Sequence, residues 1–471
     1  MKEFVMEKMK EACGVFGIIN NDDFDVSRLT YYGLYSLQHR GQESAGIAVK
    51  NGDTILCHKD MGLAHEVFDK VILNQLKGTI GIGHVRYSTT GASEVQNAQP
   101  MVLRYRNGNM SLAHNGNLVN AAELRDEMES QGAIFQSTND TEVIANLISR
   151  YRVFNDNIVD TLKSVMGDIR GSYAITMITP RRLVGIRDPL GIRPLCLGKL
   201  KNSYVIASES CALDTVGAKF VRDIEPGEIV LIDHDGGIES HKTVGEGCNK
   251  LCIFEHVYFA RPDSIVDGVC AHSARAKAGG ILAREYPVEA DTVAGTPDGG
   301  VDAALGFSRE SGIPYGHALI KNRYVGRTFI QPEQEQRDAG VSIKFNPIRS
   351  EIEGKRVVLV DDSIVRGTTT RQIVKMLRDA GAKEVHMRIS SPPYKFPCFF
   401  GIDTSTRKQL VASFRSIDDI CEMIGADSLG YLSLEGLLES VEGTKCGFCT
   451  ACFDGDYPMD VPYETVKNSC G

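Results

Sequence analysis

Short apolar runs rich in β-branched residues alternate with glycine and asparagine turns along the first half of the chain. The clearest are GVFGII, GIAVK, TIGIGHVRY, SYAITMIT, YVIAS and GEIVLID, and their length is typical of β-strands. Two longer segments have a helical period instead. They are AAELRDEMESQG and DTEVIANLISRY, the second with apolar side chains at Val143, Ile144, Leu147 and Ile148. This pattern predicts a strand-rich α+β fold over residues 13–240, with sheets packed in layers against helices.

The second half of the chain changes to an α/β pattern. KRVVLVDD is a continuous apolar run typical of a buried strand, and the loop SIVRGTTT follows it. Next comes a predicted helix with Ile373, Met376, Leu377 and Ala380 on one face and Gly381 as its C-cap. KEVHMRI is the following strand, and a strand–helix–strand unit predicts a parallel sheet.

The two patterns meet around HKTVGEGCNK, where glycine and polar residues interrupt the strands. We therefore predict one domain over residues 13–245 and a second over residues 246–471. The opening residues 1–12, MKEFVMEKMKEA, have no strand period and are too charged for the apolar middle of a secretory signal peptide.

The composition of the chain argues against several classes of function. The 471-residue chain has a net charge of −9, which argues against non-specific nucleic-acid binding, and it has no apolar run long enough to span a bilayer. Its 13 cysteines are an odd number without an export signal, which predicts a reducing, cytoplasmic location rather than a disulfide framework. Clustered cysteines in such a chain are candidates for metal ligands or nucleophiles.

Cys13 lies where the polar segment meets the first apolar run. A thiol nucleophile needs a base, and an α-amino group with a pKa of about 7.7–8.0 can supply one. If residues 1–12 are cleaved off, Cys13 carries such an amine beside its own Sγ. The alternative is a buried core cysteine at the start of a strand.

Other strings supply what an amide-cleaving site needs. In HNGNL, Asn115 offers a side-chain amide and Gly116 an approachable backbone N–H, which suit an oxyanion hole. An amino-acid substrate needs a cation for its carboxylate and an anion for its ammonium, and Arg86 of HVRYSTTG and Asp140 of STNDTE provide them. LQHRGQESAGIAV adds Arg40. Taken alone, Asp140 is better explained as a helix N-cap.

Together, CGVFGI, HRGQESAGIA, HVRYSTTG, HNGNL and TNDTE resemble the glutaminase domain of class II glutamine amidotransferases over most of residues 13–240. The resemblance implies the N-terminal-nucleophile fold, a four-layered αββα sandwich, and a propeptide that is removed. It also implies the site residues: Cys13 as nucleophile and α-amine base, Asn115 and Gly116 as the oxyanion hole, and Arg86, Asp140 and Arg40 as glutamine ligands.

VVLVDDSIVRGTT (357–369) ends a strand with two adjacent carboxylates and continues as a loop of hydroxyls and backbone amides into a helix. Such a loop is an anion cradle, and the carboxylates suit ribose hydroxyls or Mg²⁺. The alternative is a strand that simply ends in acidic residues. The spacing of a Walker A loop is absent.

This string resembles the phosphoribosylpyrophosphate (PRPP) signature of type I phosphoribosyltransferases, an α/β family. GTPDGG (295–300) resembles that family's pyrophosphate loop, except that Gly299 replaces serine, and IKNRYVGRTFI (320–330) resembles its mobile loop. The resemblance implies these PRPP ligands: Asp361, Asp362, Ser363, Arg366, Gly367, Thr368, Thr369, Asp298, Lys321 and Arg327. It implies Mg²⁺ at Asp361 and Asp362.

CGFCTAC (446–452) contains overlapping C-x-x-C pairs, which alone predict either a zinc site or a redox pair. The distant thiols that could complete such a site are those of Cys248, Cys252 and Cys398. LCIFEHVYFARPDS, FPCFFGIDTS and CTACF resemble the [4Fe-4S]-binding segments of one amidophosphoribosyltransferase subfamily. That resemblance implies one 4Fe-4S cluster held by Cys252, Cys398, Cys449 and Cys452, with a register through Cys446 left open.

The three sites in this order resemble the amidophosphoribosyltransferase family of the propeptide-bearing, iron–sulfur type. The implied reaction turns glutamine, PRPP and water into 5-phosphoribosylamine, glutamate and pyrophosphate, the first step of purine synthesis. Purine nucleotide inhibitors and a homotetramer are further expectations from the family. The alternatives are another class II amidotransferase, making an amino sugar or asparagine, and a non-catalytic iron–sulfur regulator on a retired enzyme scaffold.

Overall fold

Two antiparallel sheets face each other in the first half of the chain. The computed structural model describes residues 13–87, 93–243, 249–322, 344–404, 406–445 and 447–462. The first sheet contains, in spatial order, β11 (Lys219–Asp223), β9 (Cys196–Leu200), β10 (Ser203–Ala207), β1 (Gly14–Ile19), β4 (Ile80–Arg86), β2 (Ser44–Asn51) and β3 (Thr54–Met61). The second contains β13 (Ile238–Lys242), β12 (Glu228–Asp233), β8 (Arg182–Arg187), β7 (Gly171–Ile178), β6 (Gly108–Leu118) and β5 (Met101–Tyr105).

Helices cover the outer face of each sheet. The first sheet carries α1 (Val26–Ser36), α2 (Ala64–Val67), α3 (Lys70–Gln75) and α7 (Ser210–Val216). The second carries α4 (Ala121–Ser130), α5 (Asp140–Tyr151) and α6 (Ile158–Asp168). A third apolar core, which includes Val15, Ile82, Ala174 and Ile206, lies between the sheets. Three cores separating four layers confirm the predicted αββα sandwich.

Helix α5 begins and ends where the sequence period predicted, at Asp140 and Tyr151. Its four predicted apolar residues are all buried. The cap differs from the expectation: the side chain of Asn139 accepts from the N–H of Thr141, and Asp140 is the first helical residue. The Asp140 carboxylate is therefore left for other partners.

A four-stranded parallel sheet organises the second half, in the order β17 (Thr292–Gly295), β20 (Arg356–Asp361), β21 (Glu384–Ile389), β22 (Ser428–Tyr431). Val357 and Leu359 of β20 point into one core, and Val358 and Val360 point into the core on the opposite face. Burial on both faces explains the continuous apolar run. The predicted strand–helix–strand unit is confirmed, with α11 (Thr368–Asp379) between β20 and β21.

The remaining elements of the second half are shorter. The strand pairs are β14 (Lys250–Cys252) with β23 (Gly447–Cys449), β15 (Ile265–Val266) with β16 (Val269–Cys270), and β18 (Leu319–Lys321) with β19 (Phe345–Pro347). The helices are α8 (Ala271–Glu285), α9 (Val301–Ser311), α10 (Arg349–Ile352), α12 (Ile417–Ile424), α13 (Leu434–Ser440) and α14 (Ala451–Asp454). Glu255–Phe259 is a short π-helix, and 3₁₀ turns occur at Val95–Asn97, Arg407–Gln409 and Val411–Ser413.

The chain passes from the first half to the second after β13. That strand pairs inside the second sheet of the sandwich and ends at Lys242, whereas β14 begins at Lys250 and pairs with β23 near the end of the chain. Residues 244–248 lie outside the described part. Among the described residues, no helix combines the length and apolar character needed to cross a membrane.

The core between the sheets gives a stability prediction. Ile206 is fully buried there, whereas Ile134 is 83% exposed. Replacing Ile206 with Ala should lower the free energy of unfolding by about 2–5 kcal/mol, because it removes buried methyl groups and leaves a cavity. The measurement is the melting temperature of the full chain by scanning calorimetry. Ile134→Ala is the control, and an equal shift in both variants would contradict this assignment of the core.

Candidate active sites and the cysteine cluster

Cys13 lies immediately before β1, at the edge of the space between the two sheets. Its Sγ donates to the backbone oxygen of Tyr87 at 3.4 Å, and the residue is 7% exposed. Gly14 pairs with Val85 across the strands, so the same register continued by one residue brings Cys13 opposite Arg86. Burial raises the pKa of the Cys13 thiol, an effect that the charges of Arg86 and Arg193 partly oppose.

Asn115 and Gly116 lie on β6 of the facing sheet. Asn115 is fully buried, and neither its amide nitrogen nor its amide oxygen has a hydrogen-bond partner among the described residues. A buried amide without partners costs free energy, so this amide is available for a ligand. Gly116 has a φ of +149°, and a Cβ there would collide with the backbone oxygen of Ser172. Only glycine fits this position.

His84 joins the two sheets close to this point. Its Nε2 lies 3.0 Å from the backbone oxygen of His114, the residue before Asn115. Burial lowers the pKa of His84 to about 3, so the ring is neutral and Nε2 donates to that oxygen. This bond ties β4, which carries Arg86, to β6, which carries the amide.

Arg86 and Asp140 are buried near Cys13, and both already have protein partners. Nη1 of Arg86 lies 3.1 Å from Oε1 of Glu43. Oδ2 of Asp140 accepts from the N–H of Leu118 at 3.0 Å, and its Oδ1 lies 3.4 Å from Nδ1 of His114. Burial disfavours the Asp140 carboxylate, but His114 and the backbone amides outweigh burial and lower its pKa. The Asp140 carboxylate therefore stays ionised at neutral pH.

Arg40 is not placed to bind glutamine, because its side chain is bound to other residues of the protein. Its side chain has no solvent exposure, its Nη1 donates to Glu209, and its Nη2 donates to both carboxylate oxygens of Glu255 at 2.7 and 2.9 Å. Its Nε donates to the backbone oxygen of Cys13 at 3.2 Å. With these donors engaged, we correct its expected role: Arg40 holds the backbone of Cys13 instead of a substrate carboxylate.

Three residues of this network were missed in the sequence: Arg193, Glu209 and Glu255. Arg193 is fully buried and donates to Oε1 of Glu255 at 3.3 Å and to the backbone oxygen of Phe400 at 2.5 Å. Glu209 also accepts from His39 and from the hydroxyl of Ser264. No local string signals these contacts, because the partners are distant in sequence and charged residues are ordinarily exposed.

The predicted phosphate site lies at the carboxyl end of the parallel sheet. Asp361 and Asp362 end β20 and are 4% and 2% exposed, and Oδ1 of Asp362 accepts from the hydroxyl of Ser363 at 2.7 Å. Gly367, with a φ of +82°, is the N-cap of α11, whose first residues are Thr368 and Thr369. The loop therefore leads into the positive end of a twelve-residue helix. Arg366 is exposed beside it.

The GTPDGG loop follows the neighbouring strand β17 and leads into α9. Oδ2 of Asp362 occupies the space that a Cβ at position 299 would need, which explains the glycine there. Lys321, on β18, forms an ion pair with Asp298 of this loop. Arg327 lies outside the described residues. The structure thus brings Asp298, Lys321 and the Asp361–Asp362 pair to one edge of the sheet.

The four cysteines predicted to bind the cluster converge from three segments. Cys252 and Cys449 are register partners in the parallel pair of β14 and β23. The backbone oxygen of Cys452 accepts from the N–H groups of Lys395 and Phe396, close to Cys398 in sequence. All four contact the same apolar core of the second half. Cys248 and Cys446 lie outside the described residues.

Burial raises the pKa of each of these four thiols, to about 12 for Cys449. The neighbouring thiols raise the pKa of Cys452 further, so the sulfurs lie within electrostatic reach of one another. In the described part of the chain, no group of three or more histidine, cysteine, aspartate or glutamate side chains is placed to hold a metal ion.

Each half of the chain matches the model of a known protein family. The model of the glutamine amidotransferase domain matches residues 84–215, and that of the phosphoribosyl transferase domain matches residues 271–390. The second match argues against an amidotransferase that makes an amino sugar or asparagine.

Curated relatives match almost the whole chain. Amidophosphoribosyltransferases of Synechococcus elongatus and Archaeoglobus fulgidus are both 51% identical to it, over 98% and 97% of this chain and 94% and 100% of their own lengths. A solved PRPP amidotransferase from B. subtilis, complexed with ADP and GMP, matches with a TM-score of 0.90 at 49% identity, covering 96% of this chain and 99% of its own. A structure described as the allosteric regulatory enzyme of purine biosynthesis matches with a TM-score of 0.91, also at 49% identity, covering 96% and 98%. The chain therefore belongs to the amidophosphoribosyltransferase family, the glutamine-dependent PRPP amidotransferases that carry out the first step of purine biosynthesis.

Proposed function

We propose that this chain makes 5-phosphoribosylamine, glutamate and pyrophosphate from glutamine, PRPP and water, with Cys13 as the nucleophile after residues 1–12 have been removed. The observation that carries the proposal is a buried, unpartnered amide on the sheet that faces the start of β1, where Cys13 lies. Cys13 precedes β1 of one sheet, and the buried Asn115 amide lies on β6 of the other. A reacting amide bound between them finds a nucleophile on one side and a donor on the other.

Removal of residues 1–12 supplies the base. While residue 12 is attached, the nitrogen of Cys13 is an amide without a basic lone pair. Its thiol is then held by the Tyr87 carbonyl with a raised pKa. Once cleaved, the α-amine takes the thiol proton, directly or through one water. Arg40 keeps the Cys13 carbonyl in place during this transfer.

The glutaminase reaction then proceeds in two steps. The Cys13 sulfur attacks the side-chain amide of glutamine, and the amide of Asn115 and the N–H of Gly116 stabilise the oxyanion. The α-ammonium returns its proton to the leaving nitrogen, the C–N bond breaks, and ammonia leaves a glutamyl thioester. Water hydrolyses the thioester to glutamate. Arg86 and Asp140 hold the two charged ends of the amino acid.

The phosphate cradle binds PRPP. Ser363, Arg366, Gly367, Thr368 and Thr369 bind the 5′-phosphate. Asp298 and Lys321 bind the pyrophosphate group. Asp361 and Asp362 meet the ribose hydroxyls and would hold Mg²⁺, since paired buried carboxylates are the oxygen ligands that this ion prefers. When bound, Mg²⁺ neutralises the departing pyrophosphate. Ammonia attacks C1 as the pyrophosphate leaves.

Ammonia passes between the sites inside the protein, where it stays unprotonated and nucleophilic. Direct contact between the two halves behind the oxyanion hole supports this route. Nδ2 of Asn117 donates to the backbone oxygen of Phe399, and the hydroxyl of Ser172 donates to that of Phe400, both at 2.9 Å. Residues next to the proposed oxyanion hole therefore touch the second domain.

Cys252, Cys398, Cys449 and Cys452 would hold one 4Fe-4S cluster. The donor chemistry fits, because burial raises the pKa of all four thiols: as bare thiolates they are costly, and they become favourable ligands when iron balances their charge. When bound, the cluster cross-links the C-terminal segment to β14 and to the loop after β21. Its role is structural.

Three finer features complete the proposal. Purine nucleotides act as inhibitors, supported by the ADP and GMP in the solved relative. The functional unit is a homotetramer, an expectation from the family. The compartment is a reducing cytoplasm, supported by the ten described cysteines, all of which are free thiols.

The nucleophile is tested with Cys13→Ala. We expect glutamine-dependent synthesis to be lost and synthesis from ammonium salts and PRPP to remain, because the second site does not use the thiol. N-terminal sequencing of active wild-type enzyme should begin at Cys13. Cys57→Ala, at an exposed cysteine, is the control. Glutamine use that survives in Cys13→Ala would contradict the proposal.

The phosphate site is tested with Asp362→Asn. Glutamine-dependent and ammonia-dependent synthesis should fall together by about 10- to 100-fold, because one charged hydrogen-bond partner of the ribose or Mg²⁺ is lost. Glutamine hydrolysis measured without PRPP should keep its rate. Asp379→Asn, at the exposed end of α11, is the control and should change neither reaction. Unequal losses in the two syntheses would argue against this role.

The cluster is tested with Cys398→Ser. Protein purified without oxygen should lose bound iron and acid-labile sulfide, because one of four ligands is replaced by a poorer donor. Cys421→Ser, at a cysteine of α12 outside the group, should keep both. Zinc in place of iron in the wild-type protein would overturn the assignment.

A further inference from the structure

Glu255 is a fully buried carboxylate of the second domain that binds two buried arginines of the first. Its two oxygens accept from Nη2 of Arg40 at 2.7 and 2.9 Å, and Oε1 also accepts from Nη1 of Arg193 at 3.3 Å. It is the first residue of the short π-helix, three positions after Cys252. The contact therefore joins the two domains through charge.

Both arginines lead to the proposed glutaminase site. Nε of Arg40 donates to the backbone oxygen of Cys13 at 3.2 Å. Arg193 lies against Gly401, where a Cβ would stand 2.7 Å from its Nη2 and 3.4 Å from the carbonyl carbon of Gly116. Glu255 is thus linked to the nucleophile through Arg40, and to the backbone beside Gly116 through Arg193 and the Phe400–Gly401 segment.

The fully buried charges of this network balance, and the partly exposed His39 lies at its edge, 2.7 Å from Glu209. Two guanidinium groups, of Arg40 and Arg193, face two carboxylates, of Glu209 and Glu255, and all four side chains are fully buried. Arg40 keeps Glu209 as a second partner, whereas Glu255 is the carboxylate that Arg40 and Arg193 share. Removing the charge of Glu255 leaves an uncompensated buried cation, which must move toward other acceptors.

We infer that Glu255 is a positioning residue for the glutaminase reaction: from the phosphoribosyltransferase domain, it fixes Cys13 through Arg40 and the oxyanion-hole backbone through Arg193. It touches neither glutamine nor PRPP. This inference rests on the proposed role of Cys13. Misplacement of a reacting group by about 1 Å lowers a rate by about 100-fold, so the effect falls on the chemical step and not on substrate binding.

A second buried ion pair across the same domain boundary provides a matched control. Nη1 and Nη2 of Arg187, on β8, donate to the two oxygens of Asp267 at 2.9 and 2.6 Å, and both side chains are at most 5% exposed. Arg187 also donates to the backbone oxygens of Ile224, Gly191 and Arg193, the last through Nε at 2.8 Å. Asp267→Asn removes the charge that faces Arg187 and none of the side chains that bind Glu255 or the Cys13 carbonyl.

The test compares Glu255→Gln, Glu255→Asp and Asp267→Asn in the full-length, cluster-loaded enzyme, with iron content checked in each. For Glu255→Gln we expect kcat with glutamine to fall by about 10- to 100-fold, with the glutamine KM within about threefold of wild type. Ammonia-dependent synthesis should be unchanged. Glu255→Asp, which keeps the charge, should recover part of the loss, and Asp267→Asn should show none of this pattern.

Gly401→Ala is made in parallel, because it disturbs the Arg193 contact without removing a charge. It should give the same fall in kcat with glutamine and the same unchanged ammonia-dependent rate. Three results would each overturn the inference. They are equal losses of glutamine-dependent and ammonia-dependent synthesis, a rise of the glutamine KM at unchanged kcat, and a loss confined to glutamine-dependent synthesis in Asp267→Asn. Cys13→Ala, assayed beside them, separates the failures: if it still uses glutamine, the proposed nucleophile is wrong and not only the role of Glu255.

Discussion

Four charged side chains without access to water hold the two halves of this protein together beside the proposed nucleophile. Arg40 and Arg193 come from the sandwich, Glu255 from the second domain, and Glu209 precedes α7. Buried charges are tolerated only when they are paired and hydrogen-bonded, so each of these residues constrains the positions of the others. The backbone of Cys13 is one of the groups held in this way. The domains are therefore joined at the place where the chemistry is proposed to occur.

The αββα arrangement explains why a site can form between sheets. Each sheet buries one face under helices and the other against its partner, so strand ends from both sheets meet at one edge of the inner core. Cys13 belongs to one sheet and Asn115 to the other, and the bond from His84 to the His114 carbonyl fixes the distance between them. An amide placed there cannot find solvent, which keeps its donors available for substrate.

The short π-helix after β14 faces both reaction sites. Glu255, at its start, binds the arginines near Cys13, while the ring of Tyr258 lies 3.3 Å from the Cβ position of Gly299 in the pyrophosphate loop. Wide helical turns of this kind are rare and are frequently found at functional sites. Here one turn of chain lies between the four predicted cluster cysteines and both proposed substrate sites, so its geometry is constrained from three sides.

Local sequence patterns were enough to predict many of the strands and helices of this protein and several of its candidate site residues. Alternation and length gave β1, α5 and the β20–α11–β21 unit, since burial of one or both faces leaves its period in the sequence. Short strings named Cys13, the Asn115–Gly116 pair and the Asp361–Asp362 pair, because their chemistry needs particular residues close together in the chain. The role of Arg40 and the presence of Arg193, Glu209 and Glu255 followed from no string. Their partners lie up to 215 residues apart, and whether a charge is exposed to water or buried against another charge is settled only when distant segments pack.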